Sequence, residues 1–190
     1  MNREVIQCRC PWAESDPRML EYHDSEWGVE EHRPKVVFER LILETMQAGL
    51  SWSTVLNKRE AMRLAFFGFD FERIASISAL SDTDWLNNGE LIRHAGKPEA
   101  MIRNANLFLN QSDSVDWIWT FVDGEPIVNS WRDSSEIPAY TAESKRLALG
   151  LKAKGYRFIG PTVCYAFMQS IGMVNDHLVS CFRHKECMAS

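Results

Sequence analysis

Glu44 is an acidic residue in a position that calls for an apolar one. Val37, Leu41 and Ala48 recur at the spacing of one helix face, and Glu44 falls on the same stripe. A carboxylate there must be paired, neutralised or turned toward a cavity, because burying a bare charge is too costly. Gly49 can end that helix, and Ser51 can cap the next, which places Trp52 at its start. A carboxylate and a large aromatic flanking one tight turn make a wall for a flat, polar, cationic ligand. The plainer alternative, in which Glu44 snorkels or pairs with an arginine and Trp52 is core, draws on the same residues.

A second group of residues has the chemistry of a metal site. His177 and Cys181 are four apart in DHLVSC, which on a helix puts both on one face. Cys10 and His23 bracket the segment CPWAESDPRMLEYH near the other end. Two thiolates and two imidazoles with no open position suit one tetrahedral, structural Zn²⁺ per chain. Such a site would staple residues 1–33 to residues 175–190. Cys8 is a rival to Cys10, and His184 and Cys187 are rivals at the other end. The third feature is the turn Phe158–Thr162. Gly160 permits an unusual backbone or a close approach, and Pro161 fits the first position of a helix whose free N–H groups could meet a phosphate; an ordinary interhelical turn would look the same.

The elements that must position these residues read as helical almost throughout. Residues 1–33 are irregular and aromatic-rich, and Pro34 starts the helix that carries Glu44. Asp70 caps a short helix over FERIASI, and SDTDWLNN at 81–88 forms another. Leu91–Asn110 is one helix or two, interrupted or begun by Pro98. Val115–Val122 is short and aromatic, with a turn at Asp123-Gly124, and Pro126–Asn129 is extended. Thr141–Lys154 is a helix stopped by Gly155, another runs to Ser170 before Gly172, and Asp176–Arg183 is the last. With so few strand signals the fold class is all-α.

The 190 residues, 45% of them hydrophobic, suit one soluble unit spanning 1–190. No apolar run approaches the ~20 residues needed to cross a bilayer. The N-terminus lacks the apolar core of a signal peptide, so a cytoplasmic location is expected, with cysteines as thiols or ligands. A net charge of −5 argues against a general nucleic-acid coat protein but not against a DNA enzyme with a local basic face. Lys58-Arg59, and Lys145-Arg146 through Lys152, Lys154 and Arg157, are the two clusters that could supply one.

Five long strings carry a resemblance: YHDSEWGV (22–29), LETMQAGLSWSTVLNKRE (43–60), LIRHAGKPEAMIRNA (91–105), SEIP (135–138) and GYRFIGPTVCYAFMQSIGMVNDH (155–177). Across nearly the whole chain the sequence resembles the bacterial type I 3-methyladenine DNA glycosylases. The resemblance implies a helix-hairpin-helix DNA glycosylase fold with a structural zinc, and monofunctional excision of 3-methyladenine from alkylated double-stranded DNA. It implies no membrane and no obligate protein partner. Carried over by position, it assigns the metal to Cys10, His23, His177 and Cys181, and base recognition, with a catalytic part, to Glu44. It gives the pocket walls to Trp12, Tyr22 and Trp52, the wedge into the duplex to Gly49 and Leu50, and the phosphate contact to the hairpin that includes Gly160 and Thr162.

The chain departs from the wider superfamily in two places. Phe158 stands where a second hairpin glycine is usual, and Asn175 stands where a catalytic aspartate is common, with Asp176 one residue off. Asp176 is therefore not assigned that role. Met19 occupies a position where close relatives can carry another pocket aromatic. Two other function classes use the same residues: a zinc-dependent hydrolase with Glu44 as general base, and a non-enzymatic reader of alkylated DNA.

Overall fold

The computed structural model describes residues 7–47, 49–77 and 87–188. Helix α2, Pro34–Gln47, is its axis, and the ten consecutive residues from Val37 to Met46 are all buried. A helix with no solvent face encloses polar and apolar side chains alike. The stripe expected from the sequence is thus one side of a surrounded cylinder; Ala48, its last member, lies outside the described residues. Helices α3 (Trp52–Ala65), α5 (Lys97–Leu109), α6 (Ser114–Trp119) and α8 (Pro161–Ser170) pack around α2. Helix α4 (Phe71–Ala75) lies against α5, and α7 (Ala142–Lys154) lies against α8.

The element boundaries follow the caps read from sequence. Ser51 accepts from Thr54 N at 3.2 Å at the start of α3, and Asp70 accepts from Arg73 N at 3.2 Å at the start of α4. Thr141 and Ser144 exchange hydrogen bonds in a capping box that opens α7. Gly155, at φ 97°, takes the left-handed position that closes it. Pro98 stands in the first turn of α5 and Pro161 in that of α8. The helix expected at 81–88 lies largely outside the described residues.

Two sequence expectations are corrected and a third is sharpened. Residues 1–33 are not irregular throughout: Asp16 caps helix α1, Pro17–Ser25, by accepting from Arg18 N at 2.8 Å. The extended piece near Pro126 is strand β1, Ile127–Val128, and it pairs in parallel with β2, Val174–Asn175. The chain after β2 does not run as a helix from Asp176. It stays irregular to Cys181, which caps α9, Phe182–Glu186. Two residues of ladder on each side are too short to show as strands in sequence, and Asp176 is drawn into side-chain bonds instead of capping.

One core joins α2–α8 through residues such as Phe38, Leu41, Met101, Leu147 and Phe167. A second cluster of Cys10, Met19, Tyr22, Trp27, Leu56, Leu178 and Cys181 joins the N-terminal segment to the chain after β2. Trp52 and Ile137 pack against both. No helix among the described residues is long and apolar enough to cross a membrane.

The segment after α1 is tied to the end of α8 by Gly28 N to Gln169 O at 3.0 Å and Glu31 N to Ile171 O at 3.1 Å. Gly172, at φ +74°, sits inside that crossing, where an added Cβ would stand 2.4 Å from Glu30 N and from Val29 C. Backbone cannot step aside as a flexible side chain can. Gly172→Ala should therefore cost more than about 3 kcal/mol in chemical denaturation. Gly68→Ala, also at positive φ but in open space, should cost about 1 kcal/mol.

Candidate active site and metal cluster

Glu44, one turn from the end of α2, is 3% exposed. It lines a cavity of about 410 Å³ together with Trp12, Tyr22, Trp27, Trp52 and Gln169. The Tyr22 and Trp52 rings lie 5.2 Å apart at 52°, and Trp12 meets Trp27 edge-on at 5.1 Å. Met19 also lines the cavity, giving that wall an unbranched, polarisable thioether in place of a ring. The cavity lies at the seam where Trp52 and Ile137 touch both hydrophobic clusters.

Two atoms of this wall are buried without a hydrogen-bond partner: Glu44 Oε2, an acceptor, and Trp52 Nε1, a donor. Such orphaned atoms are expensive in a folded chain. Burial pushes the Glu44 carboxyl up to about 8, and the positive charge of Arg40 works against that rise.

Arg40 is not hydrogen-bonded to Glu44. It binds Glu26 and lies over the Tyr22 ring, 5.3 Å from its centroid. Glu26 also takes Arg59 through both its oxygens at 2.9 Å, and Arg59 reaches Glu39 at 2.7 Å. Glu39 holds Arg63 at 3.0 Å. The arginine nearest to Glu44 is thus engaged with Glu26 through one nitrogen, and its Nε and Nη1 are buried without a partner. This network also corrects one expected basic face. Arg59 is buried among carboxylates and Lys58 donates to Gly89 O at 2.6 Å, whereas Lys145, Arg146, Lys152, Lys154 and Arg157 are exposed.

Asp176 is fully buried and fully engaged. Its Oδ1 accepts from Asn129 Nδ2 and Trp131 Nε1, each at 2.7 Å, and its Oδ2 from Tyr165 OH at 2.5 Å and Gln169 Nε2 at 2.7 Å. A carboxylate with both oxygens saturated is a structural acceptor. It holds the Gln169 amide by its nitrogen, leaving Oε1 as the uncommitted atom of that cavity-lining side chain. Asn175 spans His184 O at 2.9 Å and His177 N at 3.2 Å, which fixes the segment that carries His177.

The four candidate ligands meet. One donor atom from each of Cys10, His23, His177 and Cys181 lies within 4.8 Å of the others, and all four residues are buried. His177 and Cys181 do not share a helix face, as the spacing predicted; the irregular stretch between β2 and α9 brings them round. Cys181 Sγ stands 3.4 Å from His23 Nε2 and 3.6 Å from His177 Nδ1, and Cys10 Sγ stands 3.7 Å from His177 Nδ1. Zinc bonds of about 2.3 Å to sulfur and 2.0–2.1 Å to nitrogen give tetrahedral edges of about 3.5 Å between unlike ligands. The outer ring nitrogens are also held: His23 Nδ1 by Asp24 Oδ1 at 2.7 Å, and His177 Nε2 by Trp27 O at 3.0 Å. That leaves His23 Nε2 and His177 Nδ1 as lone pairs facing the two sulfurs, as a metal requires. Of the three rivals, Cys8 is exposed, His184 Nε2 lies 2.8 Å from Asn129 O, and Cys187 is buried but outside the four-residue cluster.

Two turns stand at the surface. Gly49 has φ +81° with open space at its Cβ direction, and Leu50 beside it is 41% exposed. In the turn between α7 and α8 the left-handed residues are Gly155, at φ 97°, and Phe158, at φ 57°, whereas Gly160 is ordinary extended backbone at φ −130°. A Cβ on Gly160 would meet nothing within 4 Å, so no contact inside the protein requires its smallness. Thr162, in the first turn of α8, is exposed. Sequence reading missed Trp27 and Gln169 as cavity residues, because each also reads as ordinary helix-flanking core.

An aromatic-walled cavity with an unpartnered carboxyl oxygen has the shape and chemistry to suit a flat, electron-poor ring. The family model for methyladenine glycosylases matches residues 12–184, and the chain belongs to that family. It is 46% identical to a DNA-3-methyladenine glycosylase of Haemophilus influenzae over 177 residues, 91% of this chain and 96% of that one. A crystal structure of 3-methyladenine DNA glycosylase I superposes with a TM-score of 0.88 at 44% identity, over 92% of this chain and 98% of that one. A variant of such an enzyme in complex with 3-methyladenine gives 0.86 at 29% identity, over 92% of this chain and 96% of that one.

The Glu44 environment sets a stability test. Its carboxyl rises from 4.5 in the unfolded chain to about 8 in the folded one, so the folded state holds the extra proton between those values. The Glu44 contribution to stability is therefore least unfavourable below pH 4.5 and worsens as pH rises through the window, by up to about 5 kcal/mol. Glu44→Gln should raise the melting temperature at pH 9 and change it little at pH 5, as read by calorimetry.

Proposed function

We infer that this protein is a monofunctional glycosylase that hydrolyses the N-glycosidic bond of 3-methyladenine in alkylated double-stranded DNA, the first step of base excision repair. The observation that carries this reading is the orphaned Glu44 carboxylate inside the aromatic cavity. An adenine methylated at N3 in DNA is cationic, and its glycosidic bond is already weak. It leaves as a neutral base, so strong acid catalysis is unnecessary and selective capture of the flipped base does most of the work. Glu44 Oε2 accepts from the amino edge and attracts the positive charge. Trp12, Tyr22 and Trp52 stack on the ring, each contact contributing about 1–3 kcal/mol.

The surface turns supply the rest. Gly49 and Leu50 enter the duplex, with the exposed leucine filling part of the gap left by the base. Helix α7, the turn at 155–160 and α8 act as a helix-hairpin-helix. Gly160 lets a backbone phosphate approach the first-turn N–H groups of α8, near Thr162. Cys10, His23, His177 and Cys181 hold one structural zinc, which supplies cohesion between the N-terminal segment and the stretch after β2. Four donors leave no open position on the metal, which disfavours the zinc-hydrolase alternative.

Chromatography of bases released from methylated duplex tests the reading directly. Wild type should release 3-methyladenine, and Glu44→Gln should lower kcat/KM by about a hundredfold. Retention of methylated duplex with no free base released would make the protein a reader. The acidic limb of the kcat/KM profile should fall near the raised Glu44 value, with activity lost as pH drops through it, and that limb should vanish in Glu44→Gln. For the metal, elemental analysis should find zinc near one per chain. Cys181→Ala should lower zinc content and melting temperature together; loss of neither would remove zinc from the account.

A further inference from the structure

The start of α5 and the turn before it reach toward both surface turns. Lys97 is 3% exposed, and its Nζ donates to Met46 O at 2.6 Å, at the end of α2 just before Gly49 and Leu50. One helical stretch further on, Asn104 clasps the hairpin backbone: its Nδ2 donates to Arg157 O at 3.2 Å and its Oδ1 accepts from Arg157 N at 2.9 Å. Arg103 Nε adds a bond to Gly155 O at 2.7 Å. Between these ends His94 meets the Phe158 ring edge-on at 5.5 Å, and Gly96 lies beside the same ring.

We propose that residues 94–104 form a spacer that fixes the separation of the Leu50 turn and the 155–160 turn, with Lys97 and Asn104 as positioning residues for DNA. The proposal rests on the reading of those two turns as DNA contacts. A duplex presents its phosphates and its base stack at a set spacing, so two contacts on separate turns gain from being held at that spacing before binding. The clasps are made to main-chain atoms, at 155–157 in one turn and in the last turn of α2 that leads into Gly49 and Leu50, so they act on the backbone that carries both surface turns. Neither Lys97 nor Asn104 lines the cavity. An ammonium kept inside a protein is costly, and a helix C-terminus is where its charge is best accommodated. The spacer also accounts for Phe158: the ring docks on the 94–96 turn and holds a left-handed residue that glycine would leave loose.

The test compares two affinities in the full-length protein. One is for a duplex carrying an abasic-site analogue; the other is for free 3-methyladenine, read by quenching of the cavity tryptophans. Lys97→Met and Asn104→Ala should each weaken duplex binding about tenfold and raise KM for methylated DNA in proportion, with kcat and free-base affinity within about twofold. Lys97→Arg should retain most of the duplex affinity. A parallel fall in both affinities, or an unchanged duplex affinity, overturns the spacer. Leu50→Ala separates the two layers of the argument. If it weakens duplex binding while Lys97→Met and Asn104→Ala do not, the spacer alone is wrong; if it too has no effect, the DNA role of the Leu50 turn is wrong. Should Lys97→Met fail to fold, Asn104→Ala reports the hairpin half by itself.

Discussion

From Val37 to Met46 helix α2 has no side turned to water, and that enclosure sets the terms for everything packed around it. Glu39, Arg40 and Glu44 are all on it and all buried. Glu39 and Arg40 are answered by charges from outside the helix, through Glu26 of the segment after α1 and Arg59 of α3. Glu44 is left over. Buried ion pairs contribute little net stability, because desolvation offsets most of the attraction. What this network does is commit Arg40 to Glu26, so that the remaining carboxylate keeps an open lone pair at the cavity. Removing Arg40's other partner would free it to turn on Glu44 and close the site from within.

The cavity is assembled from pieces far apart in sequence. Trp12 and Tyr22 come from the N-terminal segment, Glu44 and Trp52 from α2 and α3, and Gln169 from α8. Tyr22 is the joint between the two electrostatic systems, with Arg40 over its ring and Trp52 5.2 Å away. The cysteine and histidine cluster lies behind this wall: Trp12 packs edge-on to His23 at 5.2 Å, and Trp27, which lines the cavity, meets His177 at 4.6 Å. Cohesion at the cluster is therefore transmitted to the aromatic wall by direct ring contact.

Much of this was legible before any coordinates. Local chemistry announces itself: Ser51, Asp70 and Thr141 cap where expected, and Pro161 and Gly155 mark both ends of the hairpin turn. Glu44 stood out because it broke an apolar pattern. What sequence spacing misjudged was longer in range. His177 and Cys181 looked like one helix face, yet β2 pairing with β1 and the four donors around Asp176 hold that stretch extended. Lys58-Arg59 looked like a basic surface, but Glu26 and Glu39 fold over Arg59 from elements that no local pattern connects to it. Gly160 is the residue that permits an unusual backbone, yet the left-handed non-glycine position is Phe158, whose ring is held by a turn about sixty residues earlier in the sequence. In each case the deciding partner is distant, and periodicity sees only neighbours.

The contact between Cys10 and His177 joins residues 167 positions apart. Around it, Phe182 N donates to Cys8 O at 2.9 Å and Leu178 N approaches Cys10 Sγ at 3.5 Å. Chain is made from the N-terminus onward, so residues 8–12 must wait through the synthesis of nearly all the rest before their partners exist. During that time Trp27 has no His177 ring to lean on, and the cavity lacks a finished wall. The order of synthesis thus delays competence: the helical core can condense early, while the receptor for the damaged base closes only when the two distant segments meet.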